Sequence, residues 1–335
     1  MRLRVGIVGL GSQWESRYLP ALRSLPDRFE VRGICEQVAH RAARAAAAVG
    51  TTAVDGFRAL AARDDIDALL YLADQWYGAT PILAACDHGK SVYSAISLPF
   101  DPAEADLLRR RVEEAGIAFV AELPRRHAPA TVRLKELIAT SLGRPRMLFC
   151  HRRVPLSAAP AEPPRDKATE ARDLMELVDW CRYVAGTEPT SVVAVRHAEA
   201  AGGEMDDYRM MSLDFSTTDR VGDGPLAQIS CGYYMPRQWE EAVGFRPPPA
   251  LQVVCEQGIA FVDLPASLVW FDTAGRHQEA LDSERPVGEH MLLQFHRKVT
   301  SLVRQMTGLD DTLRALEIVQ AADRSTSEGR RIRLA

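Results

Sequence analysis

The feature that most constrains the fold of this chain is the alternation of short apolar segments with helical segments. Helices of about ten residues separate the apolar segments, and Gly89 and Gly116 end two of those helices. The apolar segments predict five strands, at Leu3–Val8, Glu30–Cys35, Ala68–Ala73, Ser91–Ser94 and Ile117–Ala121. Strands that alternate with helices in this way predict a doubly wound parallel sheet of the Rossmann type.

The pattern changes after about residue 122, because strands then follow one another without helices between them. Consecutive strands predict a second α/β domain with an open, mostly antiparallel sheet. These strands are expected at Ser191–His197, Arg209–Ser216, Leu226–Tyr234, Leu251–Cys255, Ile259–Val262 and Ser267–Phe271. We therefore divide the chain into a Rossmann domain, residues 1–122, and a substrate and dimerisation domain, residues 123–335. The last predicted helices, Glu289–Met306 and Asp310–Ser325, are candidates to pack back on the first domain.

Composition excludes several classes of function. The 335 residues suffice for two domains, and the net charge of −4 comes without a block of like charges. This balance argues against nucleic acid and membrane surfaces as partners. Six cysteines without paired spacing predict reduced thiols in a cytoplasmic protein and no metal site.

A dinucleotide site is predicted where the first strand meets the first helix. Gly9 allows a tight turn there, and Gly11 lets the backbone approach a pyrophosphate. The third glycine of the usual fingerprint is replaced by Trp14. Glu36 ends the second strand, where a carboxylate accepts hydrogen bonds from the adenosine ribose and repels a 2′-phosphate. NAD is therefore expected, Arg41 leaves NADP as an alternative, and a Rossmann-like domain without a ligand is a third interpretation.

Motifs along nearly the whole chain resemble the Gfo/Idh/MocA family of sugar and cyclitol oxidoreductases. They include Gly6–Gly11, Gly89–Tyr93, Arg126–Pro129, Asp179–Gly186 and Gln257–Asp263. The resemblance implies a nicotinamide cofactor and a small-molecule substrate. The residues expected to bind the cofactor are Gly9, Gly11, Ser12, Gln13, Trp14, Glu36, Arg41, Ala73, Asp74, Trp76 and Ser94.

The catalytic residues that the resemblance implies are largely missing. The family's lysine falls at Ile96, and its substrate-domain histidine falls at Glu176. Transfer of hydride from an alcohol needs a base for the hydroxyl proton. Glu176 is the first candidate and Asp179 the second, since both share a predicted helix face with Asp173 and burial can raise the pKa of a carboxylate. An equal alternative is that this helix face only makes salt bridges. A third catalytic candidate is Tyr77, which lies near another position where the family has a histidine.

Further polar and aromatic residues are candidates for contact with the substrate. The polar ones are Arg126, His127, His151 and Lys167, each of which also has a purely structural interpretation. An aromatic set, Tyr233, Tyr234 and Trp239, is expected at a substrate pocket or, slightly preferred, at a dimer contact.

Two functions follow from this sequence. The first is an NAD(P)-dependent oxidoreductase for a sugar-like or polyhydroxylated metabolite, with a non-standard acid–base group. The alternative is a redox-inert member of the family that acts as a dinucleotide-sensing, scaffold or accessory interaction protein. A homodimer or a dimer of dimers is expected, because the open sheet has a second face to cover.

Overall fold

The computed structural model describes most of the 335 residues. The described residues are 1–73, 77–95, 102–156, 167–197, 208–217, 220, 222–236, 241, 244–282, 284–301 and 307–334. They form two compact units, one of residues 1–124 and 285–313 and the other of residues 125–284 and 314–335.

The first unit is built on a five-stranded parallel sheet. Its strands are β1 (Leu3–Val8), β2 (Phe29–Cys35), β3 (Ala68–Tyr71), β4 (Ser91–Ser94) and β5 (Phe119–Ala121). They lie in the order β2-β1-β3-β4-β5, the doubly wound arrangement that the alternating pattern predicted. The helices are α1 (a π-helical turn Trp14–Tyr18 continued by Leu19–Ser24), α2 (Ala39–Val49), α3 (Phe57–Ala61), α4 (Thr80–Asp87), α5 (Pro102–Ala115) and α8 (Val287–Thr300).

Strand β1 is buried on both faces of the sheet, which explains why all its residues except Arg4 are apolar. Five of its six residues are buried, and Ile7 is fully inaccessible to solvent. Helix α8 contributes Met291, Leu292 and Phe295 to the same core, where the Phe295 ring meets Tyr93 edge-on at 5.7 Å between centroids. Because the five strands are parallel, their carboxyl ends lie along the same edge of the sheet.

The second unit is built on a nine-stranded, mostly antiparallel sheet. Its strands are β6 (Pro145–Leu156), β7 (Ser191–His197), β8 (Tyr208–Asp214), β9 (Leu226–Pro236), β10 (Leu251–Cys255), β11 (Ile259–Asp263), β12 (Ser267–Asp272), β13 (Gly275–Ala280) and β14 (Ile332–Arg333). Their order is β13-β12-β11-β10-β6-β9-β8-β7-β14, and only the β6–β9 pair is parallel. The helices are α6 (Pro129–Leu137, continued by a π-helical turn Ile138–Leu142) and α7 (Lys167–Ala185), and helix α9 (Thr307–Glu328) supplies its residues 314–328.

Alternation along β6 gives the sheet two different faces. Cys150 and Arg152 point to α7, since Arg152 pairs with Asp173 and Cys150 contacts Cys181 of that helix. His151 and Met147 therefore point to the opposite, open face.

The predicted fold class, a parallel Rossmann sheet followed by an open, mostly antiparallel sheet, is confirmed. In the described part of the chain, no helix is long and apolar enough to cross a membrane. The same residues contain no group of three or more His, Cys, Asp or Glu that could hold a metal ion.

Candidate functional site

A glycine loop at the carboxyl end of β1 is packed too tightly for any side chain. Gly9 and Gly11 have φ angles of +67° and +62°, in the left-handed region that favours glycine. A Cβ at Gly11 would lie 2.3 Å from the Leu72 carbonyl oxygen, and one at Gly9 would lie 2.7 Å from the Ala73 Cβ. The loop therefore presents bare backbone at the edge where Rossmann domains bind a pyrophosphate.

Glu36, directly after β2, holds this loop through a hydrogen bond with its backbone. Its Oε2 accepts a hydrogen bond of 2.9 Å from the Leu10 N–H, and its Oε1 accepts one of 3.1 Å from the Gln37 N–H. A carboxylate has about four acceptor positions, so two remain for other donors. The carboxylate thus sits beside the loop with capacity for the two hydroxyls of a ribose.

Trp14 fits at the position of the missing glycine because the first turn of α1 is widened. The turn Trp14–Tyr18 is π-helical, and the Trp14 side chain is buried in the core of the first unit. The indole also lines a cavity of about 360 Å³ together with Gly11 and Ser12 of the loop and Arg41 and Arg44 of α2. Arg44 pairs with Glu15, which also lines the cavity, at 3.5 Å. Arg41 is therefore the guanidinium group available to an anion beside the bare backbone.

A buried carboxylate lies further along the same edge of the sheet. Glu122 follows β5, and its carboxylate pairs with Arg17 and accepts a hydrogen bond from the Tyr18 hydroxyl. Burial, with Glu122 beside the phenol, raises the pKa of Tyr18 well above its usual value. The Ser94 hydroxyl, at the end of β4, is completely buried and has no hydrogen-bond partner within the described residues.

Tyr77 lies at the β2 end of this edge. Its hydroxyl forms a hydrogen bond with the Cys35 thiol, next to Glu36, and its ring meets Phe57 edge-on at 5.2 Å. Burial, and then the neighbouring Cys35, raise the pKa of Tyr77. Three positions of the sequence analysis in this region, Asp74, Trp76 and Ile96, lie outside the described residues.

In the second unit, the acidic face of α7 meets arginines from other elements. Arg125 Nε lies 3.3 Å from Glu176 Oε2, and Arg152 Nη1 lies 3.7 Å from the same oxygen and 2.9 Å from Asp173 Oδ1. The recorded contacts of both arginines are with the same oxygen, Oε2, of Glu176. The Glu176 side chain is 26% exposed.

Asp179 is held much more firmly. Both of its oxygens bind the Arg126 guanidinium, with Arg126 Nε 2.7 Å from Oδ2, and Arg182 lies 3.6 Å away. The Asp179 side chain is only 2% exposed. A carboxylate with both oxygens engaged in this way fixes the position of Arg126.

The remaining substrate candidates do not come together. His127 follows Arg126 in the short 3₁₀ turn Pro124–His127, whereas His151 lies on the open face of the sheet, opposite α7. His151 Nδ1 lies 2.9 Å from Ser230 Oγ of the adjacent strand. The side chains of Lys167, Tyr233 and Trp239 lie outside the described residues.

Several polar residues at these sites were missed from the sequence, namely Arg17, Tyr18, Glu122, Arg125 and Arg152. The rule that identified Glu36 applies equally to Glu122, which directly follows the fifth strand. No local signal identifies the arginines, because each becomes relevant only through a partner distant in sequence.

Residues 3–122 match the model of the GFO_IDH_MocA oxidoreductase family with an NAD-binding Rossmann fold. A dehydrogenase from Aspergillus oryzae, aclE, is 28% identical over 153 residues, which are 43% of this chain and 42% of that enzyme. The aligned region thus spans less than half of that relative.

Solved structures resemble the whole chain. The aldose-aldose oxidoreductase of Caulobacter crescentus, crystallised with glycerol, has a TM-score of 0.85 at 16% identity, with 100% of both chains covered. Levoglucosan dehydrogenase in complex with NADH and levoglucosan has a TM-score of 0.82 at 16% identity, with 99% of both chains covered. At this identity the likeness establishes the two-domain fold.

Proposed function

Since the N-terminal domain of this chain belongs to the Gfo/Idh/MocA oxidoreductase family, we propose that the protein is an NAD-dependent oxidoreductase. We propose a sugar-like or polyhydroxylated metabolite as its substrate. The observation that carries this proposal is the glycine loop, which has no room for a Cβ and is fastened by Glu36. Sugar oxidoreductases among the structural neighbours support the substrate class.

NAD is the preferred cofactor in this proposal. The nicotinamide ring, when bound, accepts or supplies the hydride. The two acceptor positions left on Glu36 suit the ribose hydroxyls of NAD, and the negative charge of Glu36 opposes a 2′-phosphate. Arg41, in the cavity beside Gly11 and Ser12, is the residue that would accept a 2′-phosphate if NADP is used. In this proposal Tyr77 lies near the adenosine of the cofactor, because it contacts Cys35, the residue before Glu36.

The proton of the substrate hydroxyl is proposed to pass to Glu176. The two arginines near it, Arg125 and Arg152, make their recorded contacts with Oε2, whereas both oxygens of Asp179 are bound to Arg126. Arg126 and His127 remain candidates for contact with substrate hydroxyls.

The ion pairs of Glu176 also favour a second candidate function. Two guanidinium groups lie within 4 Å of this carboxylate, an arrangement that also suits a purely structural ion-pair partner. A protein that binds the dinucleotide without turnover, and acts as a sensor or an accessory protein, follows from the same geometry.

Binding and turnover separate the two candidates. We expect the purified protein to bind NADH, measured by fluorescence titration, and to reduce NAD with a member of a panel of sugars and cyclitols. Glu176→Gln should lower turnover about 10²- to 10⁴-fold with unchanged NADH affinity. Glu136→Gln, an exposed glutamate of α6, is the matched control and should change neither. Binding of NADH without turnover of any substrate supports the second function, and failure to bind either dinucleotide rejects both.

A cytoplasmic homodimer, or a dimer of dimers, completes the proposal. All six cysteines are free and buried, as expected in a reducing compartment. An apolar row crosses the open sheet face, because strand register aligns Leu226, Met147, Val254, Ile259 and Phe271 on five neighbouring strands. Leu226, Met147 and Phe271 are each about 40% exposed, and a second copy of the chain would cover them.

A further inference from the structure

A second concave site lies on the open face of the nine-stranded sheet, on the opposite side from α7. The cavity measures about 220 Å³ and lies over the paired strands β6, β9 and β8. Its lining includes His151, Arg153, Tyr208, Gln228, Ser230 and Tyr234. At about 3.3 Å per residue, His151 is about 13 Å along β6 from Met147, where the apolar row crosses the sheet.

The residues at the base of the cavity are polar, and the pairing of β6 with β9 places them next to each other. His151 and Ser230 are direct neighbours on the parallel strands, and His151 Nδ1 lies 2.9 Å from Ser230 Oγ. Ser230 is 8% exposed, so this pair is largely shielded from solvent. Burial, and then the charge of Arg153, lower the pKa of His151, so the ring is neutral at pH 7.

Arg153 makes this cavity cationic. Among the described residues, the lining contains two arginines and no carboxylate. Arg152 is neutralised on the other face of the sheet by Asp173 and Glu176. Arg153 has no ion pair or hydrogen bond within the part of the chain that the structure describes. A half-buried guanidinium without a counter-ion attracts an anion, and its planar donor pair matches a carboxylate.

Two tyrosines form the wall of the cavity above Gly232. Tyr208 and Tyr234 meet edge-on with 6.1 Å between centroids. A Cβ at position 232 would lie 2.2 Å from the Tyr234 ring and 3.2 Å from the Tyr208 ring. Because position 232 is glycine, the two rings can pack against the backbone there. They form an aromatic wall next to the Arg153 guanidinium.

We propose that this cavity binds a small aromatic carboxylate, with its carboxylate on Arg153 and Ser230 and its ring against Tyr208 and Tyr234. The cavity has a volume of about 220 Å³, which is enough space for a single small aromatic acid. The site lies on the face opposite Glu176, so it is independent of the proposed oxidoreductase chemistry.

Benzoate is the probe, and isothermal titration calorimetry on the full-length protein is the measurement. Arg153→Gln should weaken benzoate binding about tenfold or more, because it removes a charge-assisted hydrogen-bond pair. Ser230→Ala should weaken it less. Arg146→Gln is the matched control, an exposed arginine on the same strand outside the cavity, and should leave the affinity unchanged.

Three outcomes would overturn the proposal. One is no heat of binding at about 10 mM benzoate. Another is equal affinity for benzamide, which has the same shape without the charge. The third is equal affinity of Arg153→Gln and Arg146→Gln for benzoate, since the anion would then bind elsewhere.

Discussion

Glu36 holds the glycine loop through a hydrogen bond with the Leu10 N–H, and we propose that it also accepts hydrogen bonds from a ribose. Glu36→Ala removes both, and we expect NADH affinity to fall by about 1.5–3 kcal/mol for each hydrogen bond lost. The preference for NADH over NADPH should narrow, because the charge that opposes a 2′-phosphate is gone. Paired fluorescence titrations with the two cofactors measure both effects.

Arg41→Gln is the complementary variant at the residue scale. It should weaken NADPH and leave NADH nearly unchanged, since Arg41 lines the cavity beside Gly11 and Ser12 and has no ion pair within the described residues. Equal affinity of the unmodified protein for both cofactors would mean that Arg41 offsets Glu36, and the NAD preference would then be wrong.

Helix α7 is the element in which charge matters most. It carries Glu170, Asp173, Glu176 and Asp179 at intervals of three residues, so that successive carboxylates are neighbours, and each lies within 4 Å of an arginine from another element. Trp180 adds a hydrogen bond of 3.0 Å from its indole N–H to Thr131 Oγ1 of α6. These contacts hold the helix against β6, β8 and α6.

Asp179→Asn should lower the free energy of unfolding by about 3–5 kcal/mol, because Arg126 would keep its charge in a largely buried position without its main partner. Urea denaturation measures this loss. The double variant Asp179→Leu/Arg126→Met should recover much of it, since buried ion pairs can be replaced by apolar residues at little cost. A loss below about 1 kcal/mol in the single variant would mean that the pair is solvated in solution.

At the scale of the whole molecule, the proposed homodimer depends on the apolar row on the open sheet face. Phe271→Lys combined with Met147→Lys places two cations in the middle of the proposed contact and should convert the dimer to a monomer at micromolar concentration. Light scattering measures the mass. Val38→Lys, at a valine that is 49% exposed in the first unit, is the matched control and should leave the dimer intact. A monomer mass for the unmodified protein would contradict the proposal.

Local signals determined much of the secondary structure. The bounds of β1, β4, β7 and β10 agree with the prediction residue by residue. Strand β13 was missed, because its sequence, Gly275–Ala280, is polar and only backbone pairing with β12 at the sheet edge makes it a strand.

The sequence by itself also determined the fold class, the glycine loop and the place of Glu36, because strand periodicity and the parallel-sheet rule assign residues to an edge without knowledge of their partners. Only the tertiary structure decided what each polar side chain meets. His151 and Arg152 are adjacent in the chain, yet strand alternation sends His151 to Ser230 and Arg152 to the carboxylates of α7. Likewise Glu176 and Asp179 share a helix face, but Arg126 binds both oxygens of Asp179, whereas Arg125 and Arg152 approach one oxygen of Glu176. Such differences depend on contacts between residues distant in sequence, which local patterns do not encode.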